Sequence, residues 1–278
     1  SGKSFQIDGY YLDNGRGQPG RIFQWTPYAT AHTSRYGTSG KYQHIEKHSK
    51  FSLLSSYSNS TTLYKNNIPD DAPLKYTQVP EYSSTYSHHQ FRTSGDYYRT
   101  LSDFLSLRSD VLFSTSGFQQ TQTSGDFQEP ISANQMRYGI GVRADGTVPL
   151  WEDQMRLKLR PSLRYSHIKM EHGNTQISYP YASYSVTATL QKSGVVSPSI
   201  FATVSRSFRA PTYGDLFYQD FRVSGNQDLR PEKNREIYLG GSISMDSPLR
   251  FTLRGELFRK VIDNQIIWLT GSFGNFTP

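Results

Sequence analysis

Apolar and polar residues alternate with a period of two along most of the chain. From Met155 the odd positions read Met155, Leu157, Leu159, Pro161, Leu163 and Tyr165, while the even positions between them read Arg156, Lys158, Arg160, Ser162 and Arg164. Successive side chains of a β-strand point to opposite faces, so this segment has one apolar and one cationic face. On a helix the same residues would scatter charge all round. Leu105, Leu107, Val111 and Phe113 share a face against Arg108 and Asp110. Met136, Tyr138, Ile140 and Val142 alternate with Arg137, Gly139, Gly141 and Arg143. Ile237, Leu239, Ile243 and Met245 form a further set, as do Leu249, Phe251, Leu253 and Leu257. No apolar stripe of helical period stands out. The pattern predicts an all-β chain of roughly eleven strands, many near the ~9–11 residues a membrane-spanning strand needs.

Alternation alone does not say which face is wet. In a soluble sandwich the apolar face points inward; in an outer-membrane barrel it meets lipid and the polar face lines the lumen. Connection lengths separate the two. Short links are expected at 47–50, 93–102, 147–154, 191–198 and 246–248, and long ones at 13–32, 65–83, 116–133, 169–181 and 209–234. Short and long alternate as in an up-and-down meander with two unequal rims, the arrangement of membrane barrels. A sandwich has no reason to keep that order. The predicted fold is therefore an up-and-down antiparallel membrane β-barrel, with a soluble all-β fold as the alternative.

Composition narrows the function classes. The 278 residues include no cysteine, which excludes disulfide scaffolds and cysteine zinc sites. No window is apolar enough for a transmembrane helix. No basic-then-apolar leader opens the sequence. Aromatic residues make up 14% of the chain, more than a disordered segment carries, and Tyr and Trp collect at lipid interfaces. The net charge of +7 permits an anionic partner but is spread along the chain and selects none.

Candidate chemistry is sparse. Ser1-Gly2-Lys3-Ser4 matches the tail of a P-loop but opens a strand, where a P-loop lysine needs a helix. His44, Glu46 and His48 imitate a zinc motif, yet residues four apart in a strand lie ~13 Å apart, too far for one metal. His88 and His89 are adjacent and point to opposite faces. Asp70 and Asp71, with Asn66 and Asn67 nearby, read as a solvated loop rather than a Ca²⁺ site. No nucleophile elbow occurs. Lipid-type faces on strand after strand argue against nucleic acid as a partner. Trp25, Tyr28, Tyr213, Phe217 and Tyr218 are loop aromatics placed either to line a site at one mouth of the barrel or to pack the loops together. No catalytic residue, metal ligand or cofactor is expected, and no substrate contact is assigned.

Four segments carry a family resemblance. Ser205–Phe217 (SRSFRAPTYGDLF), Gly225–Asn234 (GNQDLRPEKN), Leu257–Ile267 (LFRKVIDNQII) and Tyr10–Gly20 (YYLDNGRGQPG) resemble, in order and spacing, loop-junction motifs of TonB-dependent outer-membrane receptors. The resemblance implies a barrel of ~22 strands, of which residues 1–278 supply eleven or twelve as one partial domain. The N-terminal plug and C-terminal strand of such receptors are not matched here. The chain opens just before a strand at Ser4 and stops at Pro278 in an external loop, which implies either a fragment or a barrel whose remainder a partner polypeptide supplies. Further implications are residence in the bacterial outer membrane and contact with its lipid and lipopolysaccharide. The whole receptor would take up a scarce nutrient (iron–siderophore, haem or cobalamin) with energy delivered by the TonB complex. A passive porin-like or scaffold barrel and a soluble all-β binding module are the alternatives. Pro211, Pro231 and the turn at Gly225-Asn226 are expected to be architectural.

Overall fold

The computed structural model describes residues 1–17, 29–67, 82–122, 131–151, 154–217, 225–245, 250–270 and 276–277. Eleven strands form one antiparallel sheet in sequence order: β1 (Gly2–Gly17), β2 (Ala29–Ile45), β3 (Ser49–Asn66), β4 (Tyr82–Ser102), β5 (Leu105–Gln122), β6 (Ile131–Leu150), β7 (Met155–His172), β8 (Thr175–Lys192), β9 (Val196–Arg209), β10 (Glu232–Met245) and β11 (Phe251–Asp263). One short helix, α1 (Tyr213–Phe217), lies between β9 and β10, and a separate two-stranded pair joins β12 (Leu269–Thr270) to β13 (Phe276–Thr277). Among the described residues β1 and β11 each pair on one side only, so the sheet is unclosed. Among the described residues it is a single layer with no second sheet stacked on it.

The apolar face of the sheet is uncovered. Leu163 is 60% exposed, Leu253 68% and Ile200 61%, all on the face opposite α1. In water such a surface would be far larger than a soluble monomer tolerates. The outer face also carries two aromatic rows. Phe5 and Tyr11, Tyr36 and Tyr42, Phe51 and Tyr57, and Phe91 and Tyr97 sit as pairs on β1 to β4, about 20 Å apart along each strand at ~3.3 Å per residue. Across strands these rings meet: Tyr36 and Tyr57 have centroids 6.4 Å apart, as do Tyr42 and Phe51. Two aromatic girdles flanking an apolar band are what a bilayer selects.

The inner face is polar over the same band. Ion pairs tie the strands together: Arg108 to Asp96 at 2.7 Å and Arg160 to Asp145 at 3.1 Å join neighbours, and Arg164 of β7 reaches Asp110 of β5 at 2.9 Å across Gly141 of β6. Hydroxyl pairs continue the ladder at Ser162–Ser185, Thr187–Thr203 and Ser199–Ser242, each within 3.0 Å. Ser and Thr side chains thus satisfy one another along a polar wall.

Strand extends into several expected connections, at 13–17, 29–32, 116–122, 131–133 and 147–150, and two more are corrected to strand almost throughout. Residues 169–181 are not a loop: β7 and β8 continue through them and close on Gly173-Asn174, with Gly173 at φ 54°. The reason is an inversion of polarity above Tyr165. There the even, inner positions become apolar (Ile168, Met170, paired to Tyr179 and Ile177), while the outer ones turn polar (His167, Lys169, Glu171). The strands leave the apolar band but remain strands. Residues 93–102 are likewise strand, and the connection is only Asp103-Phe104. Gly95 faces outward and is filled over by Val111 and Leu53, and Asp96 is held by Arg108, so residues that read as a turn are paired in the sheet.

Candidate ligand-binding site

The loop after β9 folds back onto the inner face through a compact set of bonds. Pro211, fully buried, has no N–H to leave unpaired. Thr212 and Asp215 cap α1 reciprocally. The Asp215 N–H donates to Thr212 Oγ1 at 3.2 Å, while Asp215 Oδ2 accepts from Thr212 N at 2.8 Å and Thr212 Oγ1 at 2.9 Å. Asp215, 4% exposed, also accepts from Trp268 Nε1 at 3.1 Å and lies 3.6 Å from Arg209. Arg209 in turn bonds Glu232 at 3.0 Å, and Glu232 accepts from the Ile266 N–H at 2.8 Å. One arginine and two buried carboxylates therefore tie the β9–β10 loop, the start of β10 and the exit from β11 into one unit.

Gly225 and Asn226 complete it. The Asn226 N–H donates to Asp215 O at 2.8 Å, and Asp228 N to Asn226 Oδ1 at 2.9 Å. A Cβ on Gly225 would stand 2.6 Å from the Leu216 carbonyl carbon, so only glycine lets this turn approach α1 so closely. Leu216 (1% exposed) and Phe217 pack against Ala133, Ile168 and Met170. This small apolar cluster lies at the long-loop end of the sheet and inside it. Burial of each such side chain contributes ~1.5–3 kcal/mol.

Between α1 and the sheet lies a cavity of about 640 Å³. Its walls are aromatic: Tyr181 stacks on Phe208 at 4.2 Å, and Phe118 on Tyr213 at 6.4 Å. Its floor carries Arg137 and Arg164. The Tyr213 hydroxyl is buried without a hydrogen-bond partner. Burial first, and the Glu171 carboxylate second, push its phenol well above the ordinary value of 10.0. A second cavity of about 540 Å³ lies beside the first and shares Arg164, Ser183 and Ser207 with it.

Of the loop aromatics singled out in the sequence, Tyr213 and Phe217 line this cavity. Trp25, Tyr28 and Tyr218 lie outside the described residues, as do Asp70 and Asp71. Asn66 is buried at the end of β3, and Asn67 is exposed. Lys3 is strand, and His44 bonds Glu46 at 3.2 Å beside a turn. His88 faces the cavity with its neighbour His89 on the other face. Among the described residues no group of three or more His, Asp or Glu is arranged to hold a metal. Sequence reasoning missed Arg137, Arg164, Tyr181 and Phe208 as site residues. For Arg137, Arg164 and Tyr181 the available signal was their inner parity on strands that run past the apolar band; Phe208 shares the parity of the outward Ile200 and Val204, so its inward packing had no such signal.

The TonB dependent receptor-like β-barrel family model matches residues 2–278. The chain belongs to this family. Within it, 78 residues are 37% identical to the vitamin B12 transporter BtuB of Vibrio vulnificus, a stretch covering 27% of this chain and 11% of that protein. Among solved structures the fold is similar to the copper transporter OprC (TM-score 0.72, 14% identity, 99% of this chain and 45% of that one). It is also similar to a double mutant of the Serratia marcescens hemophore receptor HasR in complex with its hemophore HasA and heme (TM-score 0.67, 10% identity, 99% and 47%). The chain thus spans about half the length of these structures. The family is one of receptors and transporters rather than enzymes.

Proposed function

We propose that these residues form part of the wall of an outer-membrane receptor that takes up a scarce nutrient with energy delivered by the TonB complex. The family match across 2–278 supports this, and the observation that carries it is the division of faces: aromatic-bounded apolar residues outside, ion pairs and hydroxyls inside. The fitting role of the aromatic cavity is capture of a ligand above a polar passage. The nutrient belongs to the iron-chelate, haem or cobalamin class carried by relatives. The apolar band contacts lipid, and the polar outer positions above Tyr165 face the lipopolysaccharide side.

The test is uptake by cells carrying the full receptor, measured with labelled cobalamin, haem and a ferric siderophore, with and without a functional TonB complex. Uptake of one of these that stops when TonB is removed is the expected result. Entry of small solutes regardless of TonB would replace this reading with the passive porin-like one.

A further inference from the structure

On β1 to β4 the outward apolar run ends, at the long-loop side, in an aromatic ring: Tyr11, Tyr36, Tyr57 and Phe91. On β9, β10 and β11 it ends in an arginine instead. Val204 gives way to Arg206, Ile237 to Arg235 and Leu257 to Arg259, each the next outward position toward the long loops. Register brings the three together. Arg206 pairs directly with Arg235, and Arg259 pairs with Ile237, which sets it diagonal to Arg235. Side chains so placed start roughly 5 Å apart when opposite and roughly 7–8 Å when diagonal. All three arginines are exposed, as is Lys233, the next outward position above Arg235. Arg206 also lies against the Tyr181 hydroxyl, a neutral partner, where the pairing of β8 with β9 ends at Tyr184.

This charge is set apart from the rest of the outer face. Among the described residues, and with histidine counted as neutral, the outward positions above the apolar band on β1 to β8 carry Asp13, Lys65, Lys169 and Glu171, which cancel. Those on β9 to β11 carry Arg206, Lys233, Arg235 and Arg259 against Asp263, which pairs with Arg235 at 3.0 Å. The balance is 4 − 1 = +3 on three adjacent strands. A lone arginine at this height would simply reach for water. Like charges directly opposite in a sheet repel, and an anion between them turns the repulsion into attraction. Guanidinium groups bind phosphate with two parallel N–H···O bonds, which fixes geometry as well as charge. Position names the source of the anion. Val204, Ile237 and Leu257 lie directly below on the lipid-facing surface, so an anion held by these arginines sits at the level of lipid headgroups.

We infer that Arg206, Arg235 and Arg259 form a docking site on the outside of the barrel for the phosphorylated diglucosamine headgroup of lipid A, with Lys233 above it and the acyl chains lying along Val204, Ile237 and Leu257. The inference rests on the proposed outer-membrane placement and goes beyond the uptake reading, since the lipid is a resident partner of the wall and not cargo.

The test is native mass spectrometry of the purified full receptor in detergent with added bis-phosphorylated lipid A, and with the same lipid stripped of its phosphates as control. The parent should retain the phosphorylated lipid and lose the stripped one. Arg235→Gln and Arg259→Gln in one chain should weaken retention about tenfold or more, as loss of charge-assisted pairs does. Lys260→Gln removes a charge one residue along β11, but from the inward partner of Glu236, and should leave retention unchanged. If the glutamine variant does not fold, Arg235→Lys with Arg259→Lys keeps the charge, loses the forks, and should still weaken retention. Lipid A retained no better than its stripped form, retained equally by the parent and the arginine variants, or lost as readily in Lys260→Gln overturns the site. A receptor dimer present in the parent and absent from the arginine variants would assign this face to a second copy and overturn it too. Uptake that proves independent of TonB would leave the lipid result standing, and indifference to lipid A would leave TonB-dependent uptake standing, so the two readings fail separately.

Discussion

Leu159 and Arg160 are neighbours in the chain and opposites in surroundings. Leu159 points away from α1 and is 40% exposed, whereas Arg160 points to the inner wall and pairs with Asp145. Only lipid on one side and water or polar protein on the other suits both. Leu159→Arg should therefore lower the stability of the membrane-embedded barrel by ~2–4 kcal/mol, the cost of a cation near the midplane. Denaturant unfolding of the full receptor in bilayers checks this, and little loss would contradict the placement. Tyr213 makes a different residue-scale case. Its ring packs but its buried hydroxyl bonds nothing, at a cost of ~1–3 kcal/mol. Tyr213→Phe should leave thermal stability unchanged or raise it. The pH dependence follows from the same burial. With the phenol raised in the folded state, the unfolded chain releases its proton first above pH 10.0, so the Tyr213 contribution to stability falls as pH rises beyond that point. Tyr213→Phe should flatten that alkaline loss in a pH series of melting curves.

At the scale of elements, the β7–β8 hairpin shows what the sequence makes legible. Its lower half is plain on β7, because outward Met155, Leu157, Leu159 and Leu163 alternate with inward Arg156, Lys158, Arg160 and Arg164. Its upper half was readable only as a change of phase: apolar residues move from the odd to the even positions between Tyr165 and Ser166, and a search for one continuous outer stripe sees the pattern end. The inward apolar residues Ile168 and Met170 acquire a partner in α1, whose five residues are too few to show a helical period. The site was hidden for the same reason, since Arg137, Tyr181 and Phe208 come together through register and a returning loop. The six-residue spacing of Phe5 and Tyr11, repeated on three further strands, was by contrast open to inspection and marks the band directly. The loop itself can be tested at Gly225. Gly225→Val should push α1 off the inner face, seen as faster hydrogen exchange at 212–217 and loss of the Trp268 contact with Asp215. Unchanged protection would mean the close approach is not what seats the helix.

Among the described residues eleven strands in sequence order make a wall with two free edges, and the solved relatives are about twice as long. Backbone groups at a free edge cannot be left bare in hydrocarbon. The wall therefore belongs in a closed barrel, and every functional statement about it depends on which face meets lipid. The absence of cysteine from these residues makes one measurement direct: nitroxide labels placed singly at 155–172 of the full receptor in bilayers, each read for collision with oxygen and with a water-soluble nickel complex. The account predicts strong oxygen contact at odd positions from 155 to 165, a switch to nickel contact at 167, 169 and 171, and low oxygen contact at even positions throughout. Oxygen contact at the even positions, or no change of phase above 165, would contradict it.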